Sequence, residues 1–211
     1  MKKSIIKNNV QKVMKESSQT NGYLTDWAKK KESFNKLYKA EQVIFNKFLK
    51  KDFSVLDIGC LLGSHYKSLK KFKIKYNGLD VDAKAIAAGK KKYKGISIFC
   101  DDFLKPKKKI NKYDFVFSLN VFDHYINWKD AIKAYKQYSK KYIFFTSHLK
   151  TTGPTILDKD TSFIAYDAPK TILWAVHNIF ELIAFASSYE IGAKNIYIYA
   201  YNKFHKKNWL G

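Results

Sequence analysis

Val55-Leu56-Asp57-Ile58-Gly59-Cys60-Leu61-Leu62-Gly63-Ser64 is the stretch that decides the fold of this chain. A short apolar run rich in branched residues meets an aspartate, a turn with two glycines follows, and a helix-compatible segment, residues 64–72, begins at once. Strand, glycine turn and helix in that order open a parallel βαβ sheet. Working outward, similar short apolar runs at 53–58, 76–79, 96–100, 113–119 and 142–146 read as buried strands. Helix-compatible segments at 83–93 and 128–138 lie between them and suit right-handed crossovers. Ahead of the first strand, residues 34–49 carry apolar side chains at helical spacing. Past residue 147 come a loop holding Gly153 and Pro154, a long helical candidate at 168–189, and an alternating run at 195–201 that reads as an edge strand. The expected fold is α/β: a doubly wound, mostly parallel sheet with an antiparallel edge strand and helices on both faces. No repeat or linker divides it, so 1–211 is read as one domain: a helical cap or lid over 1–50, the core over 51–148, and a substrate loop, helix and edge strand over 149–211.

Composition excludes several classes. With 211 residues, 46% of them hydrophobic, and only nine glycines and three prolines, the chain can bury a core and is neither disordered nor collagen-like. Cys60 and Cys100 are too few for a disulfide framework and lack zinc-site spacing, so no metal is expected and a reducing, cytoplasmic setting fits. The leader has no apolar core for a signal peptide, and the run 171–186 is interrupted by His177, Asn178 and Glu181, so no membrane insertion is expected. The net charge of +22 invites a phosphate-backbone partner, but all 40 basic residues are lysine, without the bidentate fork of arginine, and they are spread along the chain. A solvated lysine coat is the favoured reading, and nucleic acid is a possible but not favoured partner.

Chemistry gathers where strands end. Asp57 closes the first strand, Gly78-Leu79-Asp80-Val81-Asp82 the second, and Phe99-Cys100-Asp101-Asp102-Phe103 the third, placing carboxylates along one crevice. Glycines allow a ligand close to the backbone, the helix start offers amide groups, and an acid about 20 residues on can accept hydrogen bonds from ribose hydroxyls, so a nucleotide is the expected occupant.

At these residues the chain resembles the class I S-adenosylmethionine-dependent methyltransferases, over residues 34–148. Asp57-Ile58-Gly59-Cys60-Leu61-Leu62-Gly63 resembles their glycine-rich first motif, with Leu61 standing where the middle glycine falls. Asp80 is similar to the ribose-binding acid, Asp102 to the acid that meets the adenine amino group, and Tyr113-Asp114-Phe115-Val116-Phe117-Ser118-Leu119-Asn120-Val121-Phe122-Asp123-His124 to the fourth-strand motif. The resemblance implies a Rossmann-like fold, S-adenosyl-L-methionine as cofactor, and a cofactor-binding set of Asp57, Gly59, Cys60, Gly63, Asp80, Val81, Asp101, Asp102 and Asn120. NAD-dependent dehydrogenases share the sheet and the ribose acid but normally keep the fuller glycine pattern, and rank below.

Methyl transfer from a sulfonium needs positioning more than covalent help, with a base where the acceptor must lose a proton. His124, with Asp123 adjacent and Asn120 nearby, is the first candidate, and His148, after the fifth strand, the second. His177, placed on a largely apolar helix, reads as a core histidine, while His65 and His205 have no supporting context. Tyr23 and Trp27 are the expected lid over the cofactor, with Phe163, Tyr166 and Trp174 as further wall candidates. Ser118-Leu119-Asn120-Val121 is not the Asn/Asp-Pro-Pro-aromatic turn of many amino-directed nucleic-acid enzymes, neither cysteine follows a proline, and only a small cap, 21–49 and 150–170, is available. The expected reaction is methyl transfer to an oxygen or nitrogen of a small-molecule acceptor: a sugar, lipid head group or metabolite. The alternatives are an RNA methyltransferase using the basic surface and a non-catalytic S-adenosylmethionine-binding sensor.

Overall fold

The computed structural model describes residues 37–125, 127–160 and 172–198. Tyr23, Trp27, Phe163, Tyr166 and His205 lie outside these residues. Helix α1, Lys39–Phe48, leads into β1, Ser54–Ile58. Then follow α2, Tyr66–Leu69, extended by a 3-10 turn at Lys70–Phe72; β2, Lys75–Asp80; α3, Ala83–Lys92; β3, Ile98–Cys100; β4, Tyr113–Ser118; a 3-10 turn at Phe122–His124; α4, Trp128–Tyr138; and β5, Ser139–Phe145. Strand order is β3-β2-β1-β4-β5, and every pairing in this sheet is parallel.

Side chains alternate across the sheet and both faces are covered, which is why the strands read as continuous apolar runs. On one face, Leu56, Ile58 and Val116 meet Ala131, Ile132, Tyr135 and Tyr138 of α4, spaced three and four residues apart. On the other, Val55, Phe115 and Phe117 meet Phe45 of α1, Leu69 of α2 and Ile86 of α3. Phe45 is fully buried, with ring centroids 5.8, 5.2 and 5.5 Å from those of Phe115, Phe117 and Phe144, so α1 is part of the sheet's covering layer.

The carboxyl-terminal part departs from expectation. Residues 168–189 are not one helix: β8, Ile172–Asn178, is followed by α5, Ile179–Ser187. The run from Ile172 to Val176 has the branched and aromatic composition of a strand. The Asn178 side chain accepts hydrogen bonds from Phe180 N–H at 2.8 Å and Glu181 N–H at 3.1 Å, which sets the helix start there. Strand β8 lies in a second, three-stranded sheet, ordered β6-β8-β7, with β6 at His148–Lys150 and β7 at Ile156–Asp160. Among the described residues the antiparallel pairing is here, between β7 and β8, and not at the edge of the main sheet. Residues 195–198 form no strand; Tyr197 lies instead on Phe48 of α1, centroids 5.1 Å apart, with the Lys47 ammonium 5.0 Å from its ring.

Candidate active site

The loop from β1 to α2 is built by alternating backbone handedness. Gly59, Leu61 and Gly63 have φ of 74°, 51° and 75°, so Leu61 adopts the left-handed conformation that a glycine would take there, at a cost of about 1–2 kcal/mol. The loop is fastened to the end of β2: Gly59 and Cys60 N–H both donate to the Leu79 carbonyl, at 2.8 and 3.1 Å, and Leu61 N–H donates to Asp80 Oδ2 at 2.8 Å. Side chains would obstruct this course. A Cβ on Gly59 would collide with Val121, and one on Gly89 of α3 would strike the Leu62 carbonyl, so α3 rests directly on the loop backbone.

Two carboxylates support that loop. Asp80 is buried and accepts from Asp82 N–H at 2.8 Å as well as from Leu61. Burial, with the nearby Asp82 and Asp57 carboxylates, outweighs those amide bonds and lifts its carboxyl from 3.8 to about 6. Asp57 Oδ2 accepts from the Tyr76 hydroxyl at 2.7 Å and lies 3.3 Å from His65 Nδ1, while Oδ1 is buried without a hydrogen-bond partner. Burial pulls the His65 imidazole down, but its hydrogen bond to Asp57 and the carboxylate charges of Asp57 and Glu41 together raise it above its ordinary value. The loop's path returns His65 to Asp57, a proximity that residue spacing does not show. Cys60 is buried against Gly78, and burial pushes its thiol well up, so it serves as a small apolar filler. Val81 is 41% exposed at the same edge, and Asp102 is exposed beyond β3, with Oδ1 accepting from Leu104 N–H at 2.9 Å. Buried Asp101 ties the following turn through Asp102 and Lys107 N–H.

Beyond β4 the chain turns sharply at Asn120, φ 58°, whose N–H donates to Thr146 Oγ1 at 2.7 Å. Asp123, 5% exposed, is the centre of a polar cluster. Its Oδ2 meets His148 Nδ1 at 2.6 Å, and its Oδ1 accepts from Ser147 Oγ–H at 2.7 Å and His148 N–H at 3.0 Å. His177 Nδ1 stands 2.7 Å from Ser147 Oγ and 3.6 Å from Asp123 Oδ1. Burial opposes ionisation of Asp123, yet the bonds from His148 and Ser147 and the nearness of His177 hold its carboxyl far below the ordinary range. Asp123 is thus joined to His148, 25 residues away, while His124 lies in the 3-10 turn with Nδ1 out of solvent. His177 is fully buried, as expected, but it lies on β8 rather than on a helix. Nothing in the spacing marks Ser147 and His177 as site residues, and only the fold brings them to Asp123.

The fold and part of the sequence match known proteins. Residues 55–141 match the family model described as methyltransferase domain. No curated protein matches the sequence. Among solved structures, magnesium protoporphyrin IX methyltransferase from Synechocystis, with bound S-adenosylhomocysteine, aligns at 19% identity and a TM-score of 0.52, covering 70% of this chain and 68% of that one. An S-adenosylmethionine-dependent methyltransferase from Mesorhizobium loti aligns at 14% identity and TM-score 0.52, covering 69% of this chain and 78% of that one. The O-methyltransferase of a Brevibacillus brevis polyketide synthase multienzyme, also with S-adenosylhomocysteine, aligns at 18% identity and TM-score 0.53, over 69% of this chain and 49% of that one. Residues 55–141 thus match a methyltransferase domain, and the main sheet has the fold of these S-adenosylmethionine-dependent methyltransferases.

Proposed function

We propose that the chain transfers the methyl group of S-adenosylmethionine to an oxygen or nitrogen of a small-molecule acceptor. The observation that carries this reading is the pairing of Asp123 with His148, on the side of the crevice away from Asp80 and Asp102. The residues present suit the cofactor: Asp80 offers a buried carboxylate to ribose hydroxyls, exposed Val81 an apolar face to the adenine, Asp102 an acceptor to its amino group, and the left-handed turn at 59–63 a close backbone approach to the amino-acid end. When bound, S-adenosylmethionine supplies a methyl group on a sulfonium, already activated for in-line transfer. Asp123, an ionised acceptor, requires the proton of His148 to sit on Nδ1 and thereby leaves Nε2 as the basic nitrogen that takes the acceptor's proton. The lysine coat supports this reading over an RNA substrate, since part of it has local work: Lys90, Lys91 and Lys92 close the last turn of α3, where cations oppose the helix dipole.

Titration calorimetry with S-adenosylmethionine is expected to give heat with the wild-type chain and none with Asp80→Ala, and silence from the wild type at millimolar cofactor overturns the reading. With labelled cofactor, small-molecule pools are expected to accept the label and RNA pools to remain unlabelled. His148→Gln is expected to lower turnover by about 10²–10⁴-fold with cofactor affinity retained, and His124→Gln to have little effect. The opposite ranking overturns the choice of base.

A further inference from the structure

The Asp123 cluster has a direction that can be derived from its donors and acceptors. An ionised carboxylate only accepts, so His148 Nδ1, 2.6 Å from Oδ2, carries a proton. Ser147 has one hydroxyl proton and gives it to Asp123 Oδ1 at 2.7 Å; its other acceptor, the His148 carbonyl, is farther, at 3.3 Å. With that proton spent, the short 2.7 Å contact between Ser147 Oγ and His177 Nδ1 is a hydrogen bond only if Nδ1–H donates. The His177 Nε2 is buried with no hydrogen-bond partner, a desolvation cost not returned at that atom. Its ring is held between aromatic neighbours, 4.7 Å from Phe122 and 5.9 Å from Trp128 by centroid. A phenyl ring would fill that slot without the cost, so packing alone does not account for a histidine.

We propose that His177 is a positioning residue for methyl transfer: through Ser147 and Asp123 it orients the His148 imidazole and fixes its proton on Nδ1. The inference rests on the reading of His148 as the base. Each link is short, 2.6–2.7 Å, and connects His177 to Ser147, Ser147 to Asp123 and Asp123 to His148. Strand β8 thereby contributes to the site from 54 residues along the sequence, as the Asp123 and His177 numbers give. Such outer partners fix the tautomer and ring orientation of a functional imidazole, and their loss costs about 10–100-fold in other histidine sites.

Nitrogen-15 NMR of the cofactor-free protein reads the His148 tautomer directly and does not depend on turnover. Wild type is expected to hold Nδ1–H. In His177→Phe, which keeps the aromatic slot filled, and in Ser147→Ala, which breaks the relay with a small change, His148 is expected to populate Nε2–H as well, with kcat about ten-fold lower and KM unchanged. His177→Asn, whose amide N–H can take the place of Nδ1–H, is expected to return both readouts toward wild type. An unchanged tautomer in both His177→Phe and Ser147→Ala overturns the relay, as does a His177→Asn protein indistinguishable from His177→Phe. Should His177→Phe fail to fold, Ser147→Ala alone decides. Full turnover in His148→Gln would instead overturn the base reading while leaving the tautomer result intact, so the two failures are distinguishable.

Discussion

Asp80 and Asp123 lie along one edge of the parallel sheet, beyond β2 and β4 with β1 between them, and are buried to nearly the same degree, 8% and 5% exposed. One is lifted to about 6 and the other is held far below the ordinary carboxyl range. Burial sets the cost of charge in both places, and the partners decide its sign. Asp80 accepts from two backbone amides while facing the Asp57 and Asp82 carboxylates. Asp123 faces two imidazoles and a hydroxyl. The Asp80 side of the edge, where we propose that the cofactor binds, therefore holds a carboxylate close to neutralisation, which hydroxyl donors of a ligand would help to ionise, and the Asp123 side holds an ionised carboxylate that orders its neighbours.

The largest expected effect is on Asp123. Replacing it by Ala leaves Ser147 and His148 without their common acceptor and cuts the chain that starts at His177, and is expected to lower stability by about 3–5 kcal/mol in chemical denaturation at neutral pH. Asp80→Asn keeps one acceptor oxygen and is expected to cost about 1 kcal/mol. Equal losses in the two variants would break the comparison.

The next effect concerns pH. The folded-state value of Asp80 is raised, so the folded chain keeps its proton longer than the unfolded chain. Stability from this group is full below the unfolded value of 3.8 and declines as pH rises through about 6. A shift of this size corresponds to roughly 3 kcal/mol at most. Asp123 has the opposite sign: its contribution is present above the ordinary carboxyl range and is lost as pH falls toward its lowered folded value. Denaturation midpoints measured between pH 4 and 7 are expected to show a declining limb in wild type that Asp80→Asn lacks and the Asp123 variant keeps, and cofactor affinity is expected to rise over the same interval.

The smallest effect tests whether the two sides are separable. Alanine in place of a helical glycine ordinarily stabilises, but at Gly89 the added methyl strikes the Leu62 carbonyl and is expected to cost about 1–3 kcal/mol and weaken cofactor binding. The His148 tautomer is expected to stay as in wild type, since Gly89 bears on the Asp80 side alone. A change at His148 would show that the two sides of the edge are coupled.

Much of this was legible before any coordinates. Three strands of the main sheet are short apolar runs that stop at or within one residue of Asp57, Asp80 and Asp101, and a strand end is a local property of composition. What spacing does not carry is the path of connections. His65 returns to Asp57 because the turn through three left-handed residues curls back on β1, and no residue type announces that with Leu61 in the middle position. The run 168–189 is long and apolar enough to imitate a helix, and its true boundary is the side-chain cap of Asn178. Read as helix, the run hides the place of His177 beside Asp123, and adjacency in sequence pairs Asp123 with His124 where the fold pairs it with His148.

Only Thr146 and Ser147 separate β5 of the main sheet from β6 of the small one, and each side chain is bonded back beyond β4: Thr146 Oγ1 to the N–H of Asn120, Ser147 Oγ–H to Asp123. In mechanical terms this junction is a seam stitched twice rather than a hinge. A load applied to the small sheet through β8 reaches the main sheet through those two stitches and through His177 against Phe122 and Trp128, so torsion between the sheets falls on the Asp123 cluster.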